Sequence, residues 1–246
     1  MIDTVPGRNN LGVSLVIPAL NEAASLPRVL EDVPADLIKE VIVVDNGSTD
    51  DTASLARRWG ARVIFEPRRG YGSACLAGAA AARDPEIILF MDGDYSDDPR
   101  EIPLLLEAVE EGADLVIGSR ILGRRQKGAL LPQARLGNAL AALLILLLFR
   151  KRVTDLGPFR AITAEAFRGL HISDTGYGFP VQTQVRALAR GLRVVEVPVS
   201  YRRRIGRSKI SGTLKGTILA GWAIISNILR EYRLRPGGSR GEKRSG

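Results

Sequence analysis

The stretch IILFMDGDYSDDP, residues 87–99, joins an apolar run to an acidic cluster. The run 87–91 is typical of a short, buried strand of a parallel sheet. Asp92 and Asp94 follow it, and Gly93 between them permits a tight turn. Because ligands of open α/β sheets bind outside the carboxyl ends of the strands, we expect a ligand site here. Carboxylate oxygens suit Mg²⁺ or Mn²⁺ carrying a diphosphate, and the alternative is a solvated acidic turn that caps the next helix.

Composition limits the chemistry available to the chain. Its 246 residues suffice for one large α/β domain or two small ones, and 45% hydrophobic with 25% charged residues is ordinary for a globular protein. Cys75 is the single cysteine, which excludes a disulfide within the chain. His171 is the single histidine, which argues against a histidine-based zinc site or a Ser-His triad. Any metal is therefore expected to have oxygen ligands.

The net charge of +8, from 35 basic and 27 acidic residues, favours an anionic partner. Nucleic acid, phosphates and an anionic membrane surface all fit that sign. An aromatic content of 5% argues against a nucleic-acid stacking surface. Residues 1–10 are polar, and we expect a flexible lead without a signal peptide.

Strand-like and helix-like segments alternate through the first half of the chain. The predicted strands are 12–18, 40–45, 61–65, 87–91 and 114–118, and the predicted helices are 21–33, 51–59, 73–83 and 99–111. This alternation predicts a doubly wound parallel sheet covered by helices. Further along, we expect a mobile basic loop at 120–135, a helix at 181–190 and a strand at 193–199.

Two features of the first half could contact a nucleotide. Asp45 ends the second predicted strand and could accept hydrogen bonds from a ribose or a base, or it could simply start a turn. The segment Gly70–Tyr71–Gly72 could let the backbone approach a diphosphate, although an ordinary loop explains it equally well.

Two apolar segments of the second half adjoin basic clusters. Residues 138–149 (NALAALLILLLF) precede the cluster 150–152, and residues 213–229 precede further arginines. Both segments are short for spanning a bilayer, so each could be a core helix, a partner-binding helix or a helix lying in a membrane interface. The adjacent basic residues favour the membrane interface. Another basic stretch, YRRRIGRSKIS at 201–211, could clamp phosphates or be a solvated strand end.

The motifs occur in a recognisable order, which includes VIPALNE (16–22), VVDNGSTDDT (43–52), MDGDYSDDP (91–99), DLVIGSR (114–120), FRA (159–161) and VEVPVSYRRRIGRSKIS (195–211). Over about residues 11–232 the chain resembles family 2 glycosyltransferases of the dolichyl-phosphate mannose or glucose synthase-like group. The resemblance implies a GT-A-like α/β domain with a mostly parallel sheet at 11–212. It also implies an apolar interface helix at 213–232, and residues 233–246 are expected to be a disordered basic tail.

The resemblance also implies roles for individual residues. Asp92 and Asp94 correspond to the metal-binding pair, and Asp94, Arg120 and Asp155 to the catalytic positions. The implied donor-binding residues are Pro18, Ala19, Asn21, Glu22, Asp45, Gly70, Asp92 and Gly93. The implied acceptor- and diphosphate-binding residues are Arg120, Arg135, Arg204, Arg207, Ser208 and Lys209. Asp155 could instead form an ion pair with a basic residue at 150–152.

The implied reaction is a metal-dependent, inverting transfer of a hexose from a nucleotide-diphosphate sugar to a polyprenyl or dolichyl phosphate. A UDP-sugar is the favoured donor, with GDP-mannose as the other candidate, and Mg²⁺ or Mn²⁺ is the cofactor. The expected location is cytoplasmic and peripheral, on the anionic inner face of the plasma membrane. No nucleic-acid partner is expected, and a homo-oligomer is compatible with the sequence. A soluble acceptor, or a basic module that binds anionic ligands, are the alternatives.

Four sites depart from the usual family pattern, and one of them is residues 155–158 (DLGP), an altered form of the usual Asp-Pro-x-Ser-Gly lead into Phe-Arg. Asn46 stands where a second Asp is common, and Tyr95 follows the acidic pair where polar residues are common. Gln182, after Phe179–Pro180, replaces a usual acidic helix start. These departures bear on the identity of the sugar and of the acceptor rather than on the class of reaction.

Overall fold

The computed structural model describes residues 12–206 and 214–234, and it contains a seven-stranded sheet in the order β3-β2-β1-β4-β6-β5-β7. The strands are β1 Val13–Ala19, β2 Glu40–Asp45, β3 Arg62–Phe65, β4 Ile87–Phe90, β5 Leu115–Ser119, β6 Arg160–Thr163 and β7 Val194–Pro198. Neighbouring strands are parallel except that β6 runs antiparallel to both β4 and β5. The prediction of an α/β fold with a mostly parallel sheet is confirmed.

Helices cover both faces of this sheet. They are α1 Leu26–Glu31, α2 Thr52–Arg58, α3 Tyr71–Ala81, α4 Ile102–Glu110, α5 Pro132–Phe149, α6 Ala164–Leu170, α7 Phe179–Ala189 and α8 Leu214–Leu234, with a 3₁₀ turn at Pro99–Glu101 before α4. Successive residues of a strand point to opposite faces. Leu15 therefore belongs to the core on one face and Val16 to the core on the other.

The central strand β4 positions the acidic cluster. Its four residues are all buried, and it pairs in parallel with β1. Strands β1 and β2 also run in parallel, with Ala19 in register with Asp45. The carboxyl ends of the three strands consequently meet at one edge of the sheet, and the segment that begins at Asp92 emerges there.

The first predicted helix is shorter than expected. It starts at Leu26 rather than at residue 21, because Asn21 has a positive φ of 52° that lies outside the helical region. The Ser25 hydroxyl donates to the Glu22 backbone oxygen and does not form a helix-capping bond. Residues 21–25 thus form a turn beside the edge of the sheet, and the prediction of a helix over 21–33 is wrong at its start.

The second half differs from expectation in three ways. The FRA motif leads into β6, a strand that the sequence did not predict and that runs antiparallel to both of its neighbours. The predicted mobile loop 120–135 is hydrogen-bonded, since the Gln126 amide donates to the Tyr201 carbonyl at 2.9 Å and the Tyr201 amide donates to the Arg124 carbonyl at 2.8 Å. Arg135 does not belong to that loop but lies in the first turns of α5.

Helix α5 begins six residues before the predicted start at residue 138. Helix α5 has 18 residues. Of the helices in residues 12–206 and 214–234, it is the one whose length and composition would allow it to cross a membrane. The segment predicted from the sequence began at Asn138 and was therefore too short to span a bilayer. Length and composition alone do not distinguish a membrane helix from a core helix.

Candidate active site

A cleft of about 320 Å³ opens at the carboxyl edge of β1, β2 and β4. The predicted site residues that line it are Pro18, Ala19, Glu22, Gly70, Asp92, Gly93, Asp94 and Arg204. Leu20, Asn46, Arg69, Tyr71, Ala74 and Tyr177 complete its wall. The fold therefore brings the acidic pair together with one arginine of the distant basic stretch.

Asp94 is held by two different partners within this cleft. Its Oδ1 accepts a hydrogen bond from the Ser96 amide at 2.9 Å, and its Oδ2 lies 2.9 Å from the Arg204 guanidinium. The Ile205 amide donates to the backbone oxygen of Asp94 at 3.0 Å, which fixes the basic segment beside the acidic one. Asp94 is 4% exposed, so its carboxylate has one defined orientation.

Asp92 supplies an oxygen that is free to bind a ligand. Its Oδ1 is buried and has no hydrogen-bond partner among the residues that the structure describes. Burial and the charge of Asp94 raise the pKa of Asp92 to about 7, against the opposing effects of a Tyr71 hydrogen bond and the Arg204 charge. An uncompensated carboxylate oxygen beside a second carboxylate is a suitable ligand set for a hard divalent cation.

The two carboxylates fit a particular kind of metal site. Within residues 12–206 and 214–234 no group of three or more His, Cys, Asp or Glu side chains is close enough to bind one metal ion. Mg²⁺ typically uses one or two carboxylates and takes its remaining ligands from substrate phosphates and water. Asp92 and Asp94 fit that arrangement.

Asp45 and Asn21 lie next to the cleft rather than in its wall. The Asp45 Oδ1 accepts from the Ser48 amide at 2.7 Å, and the Asn21 Oδ1 accepts from the Thr49 amide at 2.7 Å. Both side chains thus order the turn after β2, as the turn interpretation of Asp45 anticipated. A direct contact with the nucleotide stays a prediction for both residues.

Asn46, which sequence reasoning treated only as a departure, lines the cleft. Its amide nitrogen donates to the carbonyls of Glu66 and Arg68 at 2.9 and 2.8 Å, and its Oδ1 accepts from the Gly70 amide at 2.9 Å. Asn46 therefore ties the end of β2 to the loop before α3. An aspartate could not donate either of the first two bonds, which gives the departure a structural reason.

The two glycines at 70 and 72 make room for another part of the chain. A Cβ at Gly70 would collide with the Thr175 carbonyl oxygen, and one at Gly72 would collide with the Asp174 carbonyl oxygen. The sequence left a diphosphate and an ordinary loop as explanations for this segment, and the structure shows close approach of the chain's own backbone, while contact with a diphosphate stays a prediction. Gly70 still lines the cleft, but the contact across more than 100 residues has no local sequence signal.

Arg120 and Asp155 form a buried, bidentate ion pair. The Arg120 Nε and Nη2 donate to the two Asp155 oxygens at 2.8 and 2.7 Å, and the Arg120 amide adds a bond of 2.8 Å. Burial opposes the charge of Arg120, but hydrogen bonding and charge from Asp155 raise its pKa above the ordinary value. The alternative pairing of Asp155 with residues 150–152 is wrong.

The placement of Asp155 changes its expected role. Its side chain is 0% exposed, and its Oδ1 also accepts from the Leu156 amide at 2.8 Å. Contact with a sugar hydroxyl would require that enclosed carboxylate to reach the surface. Its contacts instead support a role in orienting Arg120, and a catalytic role for Asp155 stays a prediction.

Asp97 is a residue near the site that sequence reasoning did not single out. It is buried, and burial together with the charges of Asp92 and Asp94 raises its pKa well above the usual range, while Arg120 opposes this. Its backbone forms a bridge with Tyr201, whose ring lies 5.1 Å from the guanidinium carbon of Arg120. Asp97 thus lies between the acidic pair and the Arg120 side of the site.

A second, more open cavity of about 460 Å³ lies on the Arg120 side. It is lined by Ile121, Pro132, Arg135, Leu136, Asn138, Ala139 and Thr154. Arg135 is exposed and has no salt bridge within the described part of the chain. An arginine without a carboxylate partner at a partly apolar cavity can bind a phosphate whose remainder is apolar.

An exposed leucine stripe on α5 continues from this cavity. We define it as Leu136, Leu140, Leu143 and Leu147, which repeat at intervals of four and three residues and so share one helix face. Leu136 is 73% exposed and Leu147 is 65% exposed. The opposite face of α5 buries Ala141 and Ile145 against α7 and α8.

The predicted phosphate-closing loop is described only in part. Arg207, Ser208 and Lys209 lie outside the described residues. Arg204 is described and contacts Asp94, with Glu22 at 3.8 Å. Its neighbour Arg202 forms a salt bridge with Asp98 and stacks 4.4 Å from the Tyr95 ring centroid, so Arg202 anchors the segment outside the cleft.

Comparison with protein families and known proteins gives consistent matches. Residues 14–169 match the model of glycosyl transferase family 2. An uncharacterized glycosyltransferase of Mycobacterium tuberculosis is 44% identical over 219 residues, covering 87% of this chain and 98% of that protein. The undecaprenyl-phosphate mannosyltransferase of Micrococcus luteus is 33% identical over 221 residues, covering 83% of this chain and 89% of that protein.

Among solved structures, a similar fold is found in glucosyl-3-phosphoglycerate synthase from Mycobacterium tuberculosis, crystallised with Mn²⁺, UDP-glucose and phosphoglyceric acid. The TM-score is 0.73 at 25% identity, and the match covers 92% of this chain and 81% of that one. At that coverage the shared fold extends to most of the chain.

Proposed function

The chain belongs to glycosyl transferase family 2 and is a glycosyltransferase, and we propose that it transfers a hexose from a nucleotide-diphosphate sugar to a polyprenyl phosphate at a membrane surface. The observation that carries this proposal is one arrangement of two neighbouring sites. The cleft holds the paired carboxylates, and Arg120 lies near them through Asp97. The open cavity that begins at Ile121 holds Arg135 and leads to the exposed leucine stripe of α5.

The cleft is suited to the donor. Asp92 and Asp94 would hold a divalent cation, which would supply positive charge to the diphosphate of the leaving nucleotide. Solved relatives that contain Mn²⁺ and UDP-glucose support this assignment, with Mg²⁺ as the other candidate. Arg204, which lines the cleft and contacts Asp94, would bind the same phosphates after leaving that carboxylate, and Tyr71 and Tyr177 provide an aromatic wall. A UDP-sugar is the favoured donor, and GDP-mannose is the second.

The Arg120 side is suited to the acceptor phosphate. The Asp155 pair holds the guanidinium of Arg120 in one orientation, which reduces the entropy lost when it binds an anion. Arg135, at the open cavity, would bind a second phosphate oxygen. Relatives named for undecaprenyl-phosphate and polyprenol-phosphate transfer support an acceptor of this class.

The chemistry needs orientation more than proton transfer. A phosphate monoester has a second pKa of about 6, so its attacking oxygen is anionic at neutral pH. That oxygen would form a bond to the anomeric carbon while the bond from this carbon to the diphosphate breaks. The nucleoside diphosphate leaves with the bonding electron pair, and displacement from the opposite side inverts the anomeric centre. Asp155 is not required as a base in this scheme.

The leucine stripe favours an acceptor with a lipid chain. Leucines exposed along one face of an 18-residue helix can enter the boundary between head groups and acyl chains, and the exposed Arg150 at the end of α5 suits anionic lipids. Peripheral attachment at the cytoplasmic face of the plasma membrane is part of the proposal.

A soluble phosphate acceptor is a second candidate, and one observation favours it. The similar solved structure holds phosphoglyceric acid, a small soluble phosphate. In that case Arg120 and Arg135 would keep their roles, and the leucine stripe would contact protein.

A transfer assay separates the two candidates. The full chain is incubated with radiolabelled UDP-glucose, UDP-galactose or GDP-mannose and Mn²⁺ or Mg²⁺, with either undecaprenyl phosphate in detergent or 3-phosphoglycerate. We expect label in the organic phase with undecaprenyl phosphate only. Label in the aqueous product with 3-phosphoglycerate, and none in lipid, would contradict the lipid acceptor.

A further inference from the structure

Helix α8 is attached to α7 by buried polar side chains. Arg186 donates from Nε and Nη2 to the two oxygens of Glu231 at 2.8 and 2.9 Å, and Gln182 Nε2 donates to Glu231 Oε1 at 3.0 Å. Glu231 is 5% exposed and Gln182 is fully buried. Well-packed apolar side chains would attach a helix at least as strongly, because burying charges costs desolvation energy. Stability alone therefore does not explain why polar side chains, rather than apolar ones, join α7 to α8.

The same side chains also hold the loop before α7. Gln182 Oε1 accepts from the amides of Ser173 and Asp174 at 2.8 and 2.9 Å. Asn227 of α8 donates to Asp174 Oδ2 at 2.9 Å, and Asp174 Oδ1 accepts from the Gly176 amide at 2.8 Å. We call Asp174, Gln182, Arg186, Asn227 and Glu231 the α8 polar cluster.

Close packing leaves this connection little freedom. A Cβ at Gly178 would collide with the amide nitrogen of Asn227 and with the carboxylate of Asp174. The position between α8 and the loop is thus filled by hydrogen-bonded groups, and a shift of α8 at Asn227 must move Asp174 or break their bond.

The loop forms part of the wall of the donor cleft. The Ser73 amide donates to the Thr175 carbonyl at 2.9 Å, and the Gly72 amide donates to the Gly176 carbonyl at 3.1 Å. Tyr177, the next residue, lines the cleft together with Gly70. Hydrogen bonds therefore run without interruption from Glu231 and Asn227 on α8 to the wall of the cleft.

We propose that the α8 polar cluster positions loop 173–177, so that the docking of α8 sets the affinity of the cleft for its nucleotide. The proposal rests on the assignment of the cleft as the donor site under the proposed function. The described residues that line the cleft include none of the cluster, so all five act through the loop. The same contact explains why position 182 carries an amide: a carboxylate there would lie 3.0 Å from the carboxylate of Glu231 and repel it.

The test is an exchange of side chains within the cluster. Glu231→Gln leaves Arg186 without a carboxylate, and Gln182→Glu places two carboxylates together. The double variant Gln182→Glu/Glu231→Gln keeps one carboxylate and keeps an acceptor for the Ser173 and Asp174 amides. It also lets the carboxylate introduced at position 182 pair with Arg186 one turn away. Arg233→Gln, on the exposed side of α8, is the control.

Two measurements are made on the full chain. Hydrogen exchange reports protection of amides 72–73 and 173–176, and calorimetry with Mn²⁺ and either UDP or GDP reports nucleotide affinity. We expect each single variant to lose protection in both segments and to raise the nucleotide Kd about tenfold. The double variant recovers most of both, and the control matches wild type. Asn227→Ala, which keeps the Arg186–Glu231 ion pair and removes one hydrogen bond to Asp174, replaces any single variant that does not fold.

The outcomes separate this proposal from the one on which it rests. Unchanged protection at 72–73 and 173–176, with unchanged nucleotide Kd, in variants whose α8 amides exchange faster would overturn the positioning role. A double variant that is no better than the single variants would also overturn it. Wild-type protein that binds neither UDP nor GDP would instead overturn the donor assignment, and the exchange data would still decide whether the cluster fixes the loop.

Discussion

The donor cleft and the α5 surface beside it are built on different principles. In the cleft, Asp94 is 4% exposed and has two partners, and it sits directly after a fully buried strand. On α5, Arg135 and the leucine stripe are exposed, with Leu136 at 73%. The described wall of the cleft thus holds a buried carboxylate with fixed partners, whereas the α5 surface leaves apolar area exposed.

The two arginines on the acceptor side repeat this contrast. Arg120 is fixed by three hydrogen bonds to a buried carboxylate, and Arg135 has no salt bridge in the described residues. A fixed arginine can orient a reacting phosphate, while an exposed one contributes mainly charge. Substitution of Arg120 should therefore reduce both stability and acceptor use, whereas substitution of Arg135 should reduce acceptor use only.

The largest effect is expected on the donor side, from Asp94→Ala. Loss of this carboxylate removes half of the proposed metal ligand set, and we expect kcat/KM to fall on the order of a thousandfold. Initial rates at saturating acceptor measure it, and circular dichroism checks that the variant is folded. Asp36→Ala, an exposed aspartate on another surface, should keep wild-type rates. Normal turnover by Asp94→Ala would remove the metal role.

Arg120→Ala should combine a functional and a structural loss. It leaves the buried Asp155 without its partner, which costs about 3 kcal/mol of unfolding free energy, and we expect acceptor kcat/KM to fall about a hundredfold with donor Kd nearly unchanged. Urea unfolding and steady-state kinetics with varied acceptor measure the two losses. An equal loss of donor and acceptor binding would contradict the assignment of Arg120 to the acceptor side.

Arg135→Ala should show the functional loss alone. Because the side chain is exposed, its removal should change stability by less than about 0.5 kcal/mol and raise the acceptor KM about tenfold. The same assays apply. If Arg135→Ala destabilised the protein as much as Arg120→Ala, the contrast between a fixed, paired Arg120 and an exposed Arg135 would be wrong.

The smallest effect is expected from Leu143→Ser on the stripe. Removal of one partly inserted leucine should weaken binding to anionic vesicles about fivefold and leave transfer to a short, water-soluble prenyl phosphate unchanged. Vesicle sedimentation and parallel assays with long and short acceptors measure this. Leu104→Ser, an exposed leucine on α4, is the matched control. Equal loss in both variants would count against an interface role of α5.

The sequence predicted the parts of the site that depend on local pattern. An apolar run followed by Asp92–Gly93–Asp94 places the acidic pair at a strand end, and the strand order confirms that edge as a meeting point of β1, β2 and β4. The family resemblance, which the comparisons confirm, added Arg120 and Arg204 from parts of the chain that periodicity cannot connect.

The rest depends on contacts that no local pattern contains. The Arg120–Asp155 pair, the bonds of Asn46 and the packing of Gly70 against Thr175 each join residues 20 or more positions apart. Helix α5 was predicted too short because Pro132 and Arg135 look like loop residues, although proline is well tolerated in a first helical turn. The α8 polar cluster was missed because a helix with an apolar composition gives no hint of its buried acid.

The central claim is that Asp92 and Asp94 hold a divalent cation together with a nucleotide diphosphate. Electron paramagnetic resonance of free Mn²⁺, titrated with the full chain in the presence of UDP or GDP, tests it most directly. The account predicts that wild-type protein with one of the two nucleotides removes Mn²⁺ from solution and that Asp94→Asn, folded and of nearly equal shape, does not. Uptake of Mn²⁺ by Asp94→Asn as tight as that of wild type would contradict it.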